Sequence, residues 1–261
     1  MRIENVSREA LSLLVGAALT LSPQSPTFAG PSGAFSLSHD KLDAALGRHV
    51  RDGLVDYASL KGDADFQRYL DLLAATDPAA LSSQQERLAF WINAYNALAI
   101  KGVIDRYPIR SVTEVGEPGK WSFFSGIEHA IGGGRLTLDR IEHGIIRPLL
   151  EPRAHFALVC ASRSCPKLRS AAYHPDRLEF ELEQASRQFI NDPEKVRFDE
   201  KAGILYLSSV FKWYGDDFAN KPGGAVGFIA RYLGRELPPN PKIEYLDYSW
   251  ALNDWRSAAS R

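Results

Sequence analysis

Apolar and polar positions along the chain alternate with two distinct periods. Leu42, Ala45, Leu46 and Val50 recur at helical spacing behind Ser38, a residue type suited to a helix cap, and the pattern stops near Gly53. A second amphipathic stretch, residues 64–74, carries Phe66, Tyr69, Leu70, Leu72 and Leu73 and is closed by Pro78. The strongest helix signal starts at Ser82 or Ser83, has Glu86 in its first turn, and runs from Phe90 through Ile104 to Pro108. Its middle is apolar almost all round, the mark of a buried helix, yet Asn93 and Asn96 sit there one turn apart. An amide buried without partners costs on the order of 1–3 kcal/mol, so both need defined acceptors and donors.

Beyond the loop at Gly116, Pro118 and Gly119, the pattern shortens. Ala130-Ile131 and Arg135-Leu136 flank Gly132–Gly134 as a hairpin or tight turn, and residues 138–150 read as a helix carrying Glu142, His143 and Arg147. The apolar run 155–161 predicts a buried strand, residues 162–165 a turn, and Pro166 the first position of a short helix. A helix over 176–190, a hairpin of 196–198 with 204–207 across 201–203, an apolar stretch 211–218, a helix over 225–233 and a strand at 243–246 complete the chain. With no regular βα alternation and no internal repeat, the expected class is α+β: a mainly helical single domain with a small mixed or antiparallel sheet.

The first 29 residues change the picture of where this domain works. Arg2 and Arg8 precede an apolar run from Ala10 to Leu21, and Thr27-Phe28-Ala29 stands before Gly30. That order is the pattern of a cleavable secretory signal, and the run is short against the roughly 20 residues that span a bilayer. The expected organisation is a signal over 1–29, a leader over 30–36, one globular domain over 37–254 and a tail over 255–261, with the product periplasmic or extracellular. The chain carries 31 Lys and Arg against 32 Asp and Glu, with no basic cluster, so neither nucleic acid nor, after signal cleavage, a membrane is an expected partner. A small molecule or peptide fits better. No cofactor is implied, and without an HExxH or paired CxxC spacing no metal site is expected.

Candidate chemistry gathers in the middle of the chain. Export would put Cys160 and Cys165, the two cysteines of the chain, in an oxidising compartment. The intervening turn can bring their Cα atoms within the roughly 4.4–6.8 Å that a bridge requires. So short a loop contributes only about 2 kcal/mol. Alternatively, Cys165 just before a helix would have a lowered pKa and act as a nucleophile, with His155 or His143 as base. On a strand, His155 and Cys160 would lie roughly 16 Å apart, so the chain would have to double back for His155 to meet Cys165. A strand would also hide Cys160 and leave Cys165 as the more exposed sulfur. Glu142 and His143 point about 100° apart on an α-helix, and Glu142 and Arg147, five residues apart, align poorly. If Glu142 is buried, the amides of Asn93 and Asn96 are its natural donors and Arg147 or Arg169 could balance its charge. Trp213, Tyr214 and Phe218 read as core.

Several stretches together resemble the domain of unknown function 547 family: Val55-Asp56-Tyr57, residues 90–98, residues 138–143, residues 155–162, Ser164-Cys165-Pro166 and residues 248–253. They occur in the family's order and span about Leu37 to Asn253; Ser249 stands where an acidic residue is common. The resemblance implies one domain and, for bacterial members, frequent export, but no established reaction. Related plant sequences often read Ser-Ser-Pro in place of Ser164-Cys165-Pro166, which makes Cys165 a poor choice for a nucleophile shared by the family. Two classes of function stay open: a cysteine-dependent hydrolase or transferase acting on a peptide, amide or thiol, and a non-catalytic binding module with a structural polar cluster and a Cys160–Cys165 bridge.

Overall fold

In the computed structural model, which describes residues 37–117 and 119–256, the long buried helix anticipated from the sequence is the axis on which everything else is placed. The signal and leader positions and the last residues of the tail lie outside the described residues. Helix α1 (Asp40–His49) packs on α2 (Tyr57–Leu60) and α3 (Ala64–Ala75), which in turn pack beside α4 (Gln84–Ile104), with the two-stranded hairpin β1 (Val50–Arg51) and β2 (Leu54–Val55) between α1 and α2. Ser83 caps α4: its hydroxyl accepts from the Glu86 amide at 3.0 Å while Glu86 accepts from the Ser83 amide at 2.9 Å. This reciprocal pair fixes the start of the helix. From Leu88 to Ile100 every residue of α4 is buried, as the unbroken apolar run demands.

Helix α5 (Ser122–Ser125) and the hairpin β3 (His129–Ile131) and β4 (Gly134–Leu136) follow, turning at Gly132 and Gly133, both at positive φ. A hydrophobic seam then forms between α7 (Leu178–Ile190), α8 (Ser209–Trp213) and α9 (Gly224–Leu233), centred on Phe156, Phe189, Phe211, Phe218 and Phe228. Strands β5 (Val196–Asp199), β6 (Ile204–Leu207) and β7 (Lys242–Tyr245) form a mixed sheet, antiparallel between β5 and β6 and parallel between β6 and β7. The fold is thus the expected mainly helical α+β type. Among the described residues no helix is long and apolar enough to cross a membrane.

Two local expectations fail and a third is met with a changed register, all in the middle of the chain. Residues 155–161 are not a strand: Pro152–Phe156 form a 3-10 helix, and the chain then runs irregularly into the cysteine loop. Among the described residues no strand pairs with 155–161. The Asn96 side chain satisfies the backbone there instead, donating to Ala157 O at 2.9 Å and accepting from the Val159 amide at 2.9 Å. Nor does Pro166 open a helix, because Lys167 and Leu168 are drawn out to the Gly53 turn. Lastly, the helix over 138–150 is made of three geometries: α6 (Leu138–Ile141), a π-helical segment Glu142–Ile146 and a 3-10 turn Arg147–Leu149. Pro148 has no amide to continue an α ladder, and the Arg147 amide reaches back five residues to Glu142 O.

Two buried histidines set an acid limit on the fold. Burial, reinforced by the facing His174 and opposed by Asp43 and Asp40, lowers the His39 pKa to about 4; its Nδ1 meets Tyr69 Oη at 2.8 Å. Burial and Lys101 lower His129 to about 4 as well, with Asp105 opposing and Arg106 and Arg135 adding to the effect. Its Nε2 is buried without a hydrogen-bond partner. Between pH 6.5 and 4 the unfolded chain binds protons that these sites refuse, so stability falls as pH drops through that window. The expected loss is about 2 kcal/mol per histidine between pH 7 and 5. Urea melts against pH should show this slope, and His129→Phe should flatten it; an equal slope in the variant would contradict the assignment.

Candidate functional site: an aromatic cleft floored by a disulfide

The C-terminal segment builds the site's floor. The Leu252 amide donates to Arg110 O at 2.7 Å, Asn253 N to Ala161 O at 3.1 Å, and Arg163 N to Ala251 O at 2.8 Å. Asn253 is anchored in turn, its Oδ1 accepting from Tyr57 Oη at 2.6 Å and its Nδ2 donating to Gly53 O at 3.1 Å. Clamped between this strap and Asn96 of α4, residues 157–165 fold back on themselves, with Ala161 forced to a φ of 62°. A positive φ outside glycine costs on the order of 1–3 kcal/mol and is kept only where surrounding contacts impose it.

The doubled-back loop joins Cys160 to Cys165 in a disulfide, Cα atoms 6.1 Å apart. Their environments differ. Cys165 is 4% exposed, whereas Cys160 is partly exposed, the reverse of the order expected from a strand. Cys165 Sγ accepts from the Cys160 amide at 2.9 Å, while the hydroxyls of Ser162 and Tyr248 serve both sulfurs, each 3.3 Å from Cys165 Sγ and 3.3 and 3.2 Å from Cys160 Sγ. The two hydroxyls are also linked, Ser162 Oγ to Tyr248 Oη at 3.1 Å. Burial raises the Tyr248 pKa to about 12, so its proton remains available to the sulfur.

Both cysteines line a cavity of about 450 Å³. His155 and Leu158 line it from the cysteine segment, Tyr95 from α4, and Glu142 and His143 from the π-helical segment. One wall is a continuous run of rings: Trp121 lies 4.7 Å from Trp250, Trp250 4.6 Å from Tyr248, and Trp213 4.7 Å from Tyr248. Tyr214 continues it, stacked on His155 at 4.1 Å. Trp213 and Tyr214, expected in the core, therefore belong to the cleft, and Phe218 alone of the three is core.

The histidine in this wall is oriented. His155 Nε2 donates to Asp217 Oδ2 at 2.7 Å, and Arg147 grips the same carboxylate through Nε at 2.8 Å and Nη2 at 2.7 Å. The Arg147 guanidinium holds Asp217 below the usual carboxylate range, while burial, outweighing Asp217, lowers His155. A neutral imidazole whose Nε2–H is committed to a carboxylate keeps Nδ1 as its basic nitrogen.

The polar cluster expected around Glu142 is not formed. Asn93 is a backbone clamp, donating to Tyr173 O at 2.7 Å and accepting from the Tyr173 amide at 2.8 Å, and Asn96 does the same work at Ala157 and Val159. Arg169 pairs with Glu181 at 3.2 Å, and Arg147 with Asp217. Glu142 is indeed buried, at 8% exposure, but its neighbours are the hydroxyls of Tyr95 and Tyr214, whose pKa values burial and this carboxylate both raise. His143 is exposed at the rim, its Nδ1 3.0 Å from Arg147 Nη1 and its Nε2 3.6 Å from Asp139. Of the sequence candidates the structure thus gathers Cys160, Cys165, His155, Glu142 and His143 on one cleft. Asp217, Tyr214, Tyr248 and the tryptophans were not singled out as site residues. Tyr248 and Trp250 did fall in the terminal stretch that carried the resemblance.

Residues 78–190 match the profile of a family described as "Protein of unknown function, DUF547". That span holds α4, the π-helical segment and both cysteines, so the chain resembles this family across the centre of the site. No curated protein and no solved structure matches the chain.

Proposed function

We propose that this is an exported thiol transferase, which exchanges its Cys160–Cys165 disulfide with a thiol bound in the aromatic cleft. Support for export is the N-terminal pattern of Arg2, Arg8 and the apolar run before Gly30. One observation carries the chemistry: both cysteines of the disulfide line a ligand-sized cavity, Cys160 partly exposed and Cys165 buried with its sulfur accepting from the Cys160 amide. An incoming thiolate attacks Cys160 Sγ, on the more exposed residue. The S–S bond breaks, a mixed disulfide forms on Cys160, and the electron pair leaves on Cys165 Sγ. The Cys160 amide and the Ser162 and Tyr248 hydroxyls stabilise that thiolate, and a better-stabilised leaving thiolate departs faster. His155, neutral and oriented by Asp217, takes the proton of the incoming thiol at Nδ1. A second thiol resolves the mixed disulfide, giving the substrate disulfide and the protein dithiol; the reverse sequence reduces a substrate disulfide.

The test is the appearance of protein with a single adduct mass when the folded protein meets 2-mercaptoethanol and is quenched in acid. Tyr248→Phe removes one donor from the leaving sulfur and should slow adduct formation about fivefold to tenfold, the effect of roughly 1 kcal/mol. A protein that forms no adduct carries a structural disulfide in a binding module. The His155–Asp217 pair favours one second reading, cysteine-dependent acyl transfer by the dithiol form. That reading requires hydrolysis of a thioester or activated ester only after reduction, with loss of the activity in His155→Gln.

A further inference from the structure

Glu142 poses a problem that the exchange chemistry leaves open. Its side chain is more than nine-tenths buried in the cleft wall, yet among the described residues it forms no ion pair. The nearby basic groups are paired elsewhere, Arg147 and His155 with Asp217, Lys120 with Glu117, and His143 with Arg147 and Asp139, so that Arg147 and His155 act on Glu142 only across space and its direct neighbours are the neutral hydroxyls of Tyr95 and Tyr214. A carboxylate taken out of water without a direct ion pair costs several kcal/mol, and folded proteins ordinarily supply a partner. The surrounding wall is of the kind that accepts cations. Trp213 and Trp250 lie 5.9 Å apart at an interplanar angle of 27°, with Trp121 and Tyr248 against Trp250 and Tyr214 beside Trp213. Trp121 and Trp213 are 50% and 44% exposed, an unusual cost for a ring of this size unless a ligand covers it. Aromatic faces attract ammonium groups through their quadrupole, and the attraction strengthens on desolvation.

We propose that the cleft recognises an ammonium group, which pairs with Glu142 and lies against the faces of the tryptophan and tyrosine rings. Resting on the exchange reading, this names the substrate class: a small aminothiol, or its disulfide, whose cationic end seats on Glu142 while its sulfur reaches Cys160. The 450 Å³ cavity holds a molecule of that size with room for a further substituent. The same chemistry selects against anionic thiols, which would bring a second negative charge to an unpaired carboxylate.

Two measurements test it. In the first, tetramethylammonium chloride, which has no sulfur, is titrated calorimetrically into the oxidised protein, with sodium chloride as the control. Wild type should bind it saturably, Glu142→Gln should weaken binding at least about tenfold, and Trp213→Ala, at the exposed rim, should weaken it about threefold. In the second, adduct rates with cysteamine, 2-mercaptoethanol and 3-mercaptopropionate are compared after normalising to each thiolate fraction and to a free reference disulfide. Cysteamine should lead and 3-mercaptopropionate trail, and Glu142→Gln should level the series. Absence of tetramethylammonium binding in wild type overturns the proposal even if all three thiols react, and so does binding that Glu142→Gln and Trp213→Ala both leave unchanged. If no thiol reacts but tetramethylammonium binds through Glu142, the cation site stands and the exchange reading falls.

Discussion

Replacing Asn96 by leucine is expected to destabilise the folded protein by about 3–5 kcal/mol, a large share of the 5–15 kcal/mol that holds a typical domain together. The magnitude comes from what the amide does. Its Nδ2 and Oδ1 serve Ala157 O and the Val159 amide at 2.9 Å each, in the buried stretch that has no strand partner. Leucine fills the space but leaves one carbonyl and one N–H unpaired, each costing about 1–3 kcal/mol. Asn93→Leu should act similarly through the two backbone groups of Tyr173. Urea unfolding of both variants measures this. A loss below about 1 kcal/mol would show that water reaches those backbone groups. Because residues 157–159 lead into the cysteine loop, Asn96→Leu should also slow adduct formation under conditions where the protein remains folded.

Substitution of Cys160 by serine is expected to abolish thiol exchange, a fall of at least about a thousandfold against wild type, since no disulfide remains to be attacked. Cys165→Ser behaves differently. The freed Cys160 thiol can still react with a small external disulfide, but the mixed disulfide cannot be resolved internally and accumulates. Neither variant should unfold, because a loop this short stabilises by only about 2 kcal/mol. Equal exchange rates in wild type and Cys160→Ser would remove the chemistry from this loop altogether.

The framework of the fold was legible because its signals are local and strong. The capping pair Ser83 and Glu86, the apolar run of α4, and the 196–198 and 204–207 hairpin all follow from periodicity and turn chemistry. The site was legible as a set of residues and illegible as a geometry. An apolar run such as 155–161 satisfies a strand pattern equally well, and only the tertiary clamp of Asn96 and the 248–253 strap decides against it. The π-helical segment escaped for the same reason: Pro148 announces a break in the ladder but not which register replaces it. Asp217 lies 62 positions beyond His155, and no spacing rule links them. Trp213 and Tyr214 read as core because composition cannot tell a buried ring from one facing an open cleft.

Which sulfur is attacked decides the chemistry, and one measurement reads it directly. The oxidised protein is exposed briefly to a substoichiometric small thiol, the free thiol generated is alkylated in acid, and peptide mapping locates the two marks. The asymmetry of the site predicts the mixed disulfide on Cys160 and the alkyl group on Cys165, because Cys160 is the partly exposed residue and Cys165 is the buried one whose sulfur accepts from the Cys160 amide. The opposite placement, or equal amounts of the two, would contradict it.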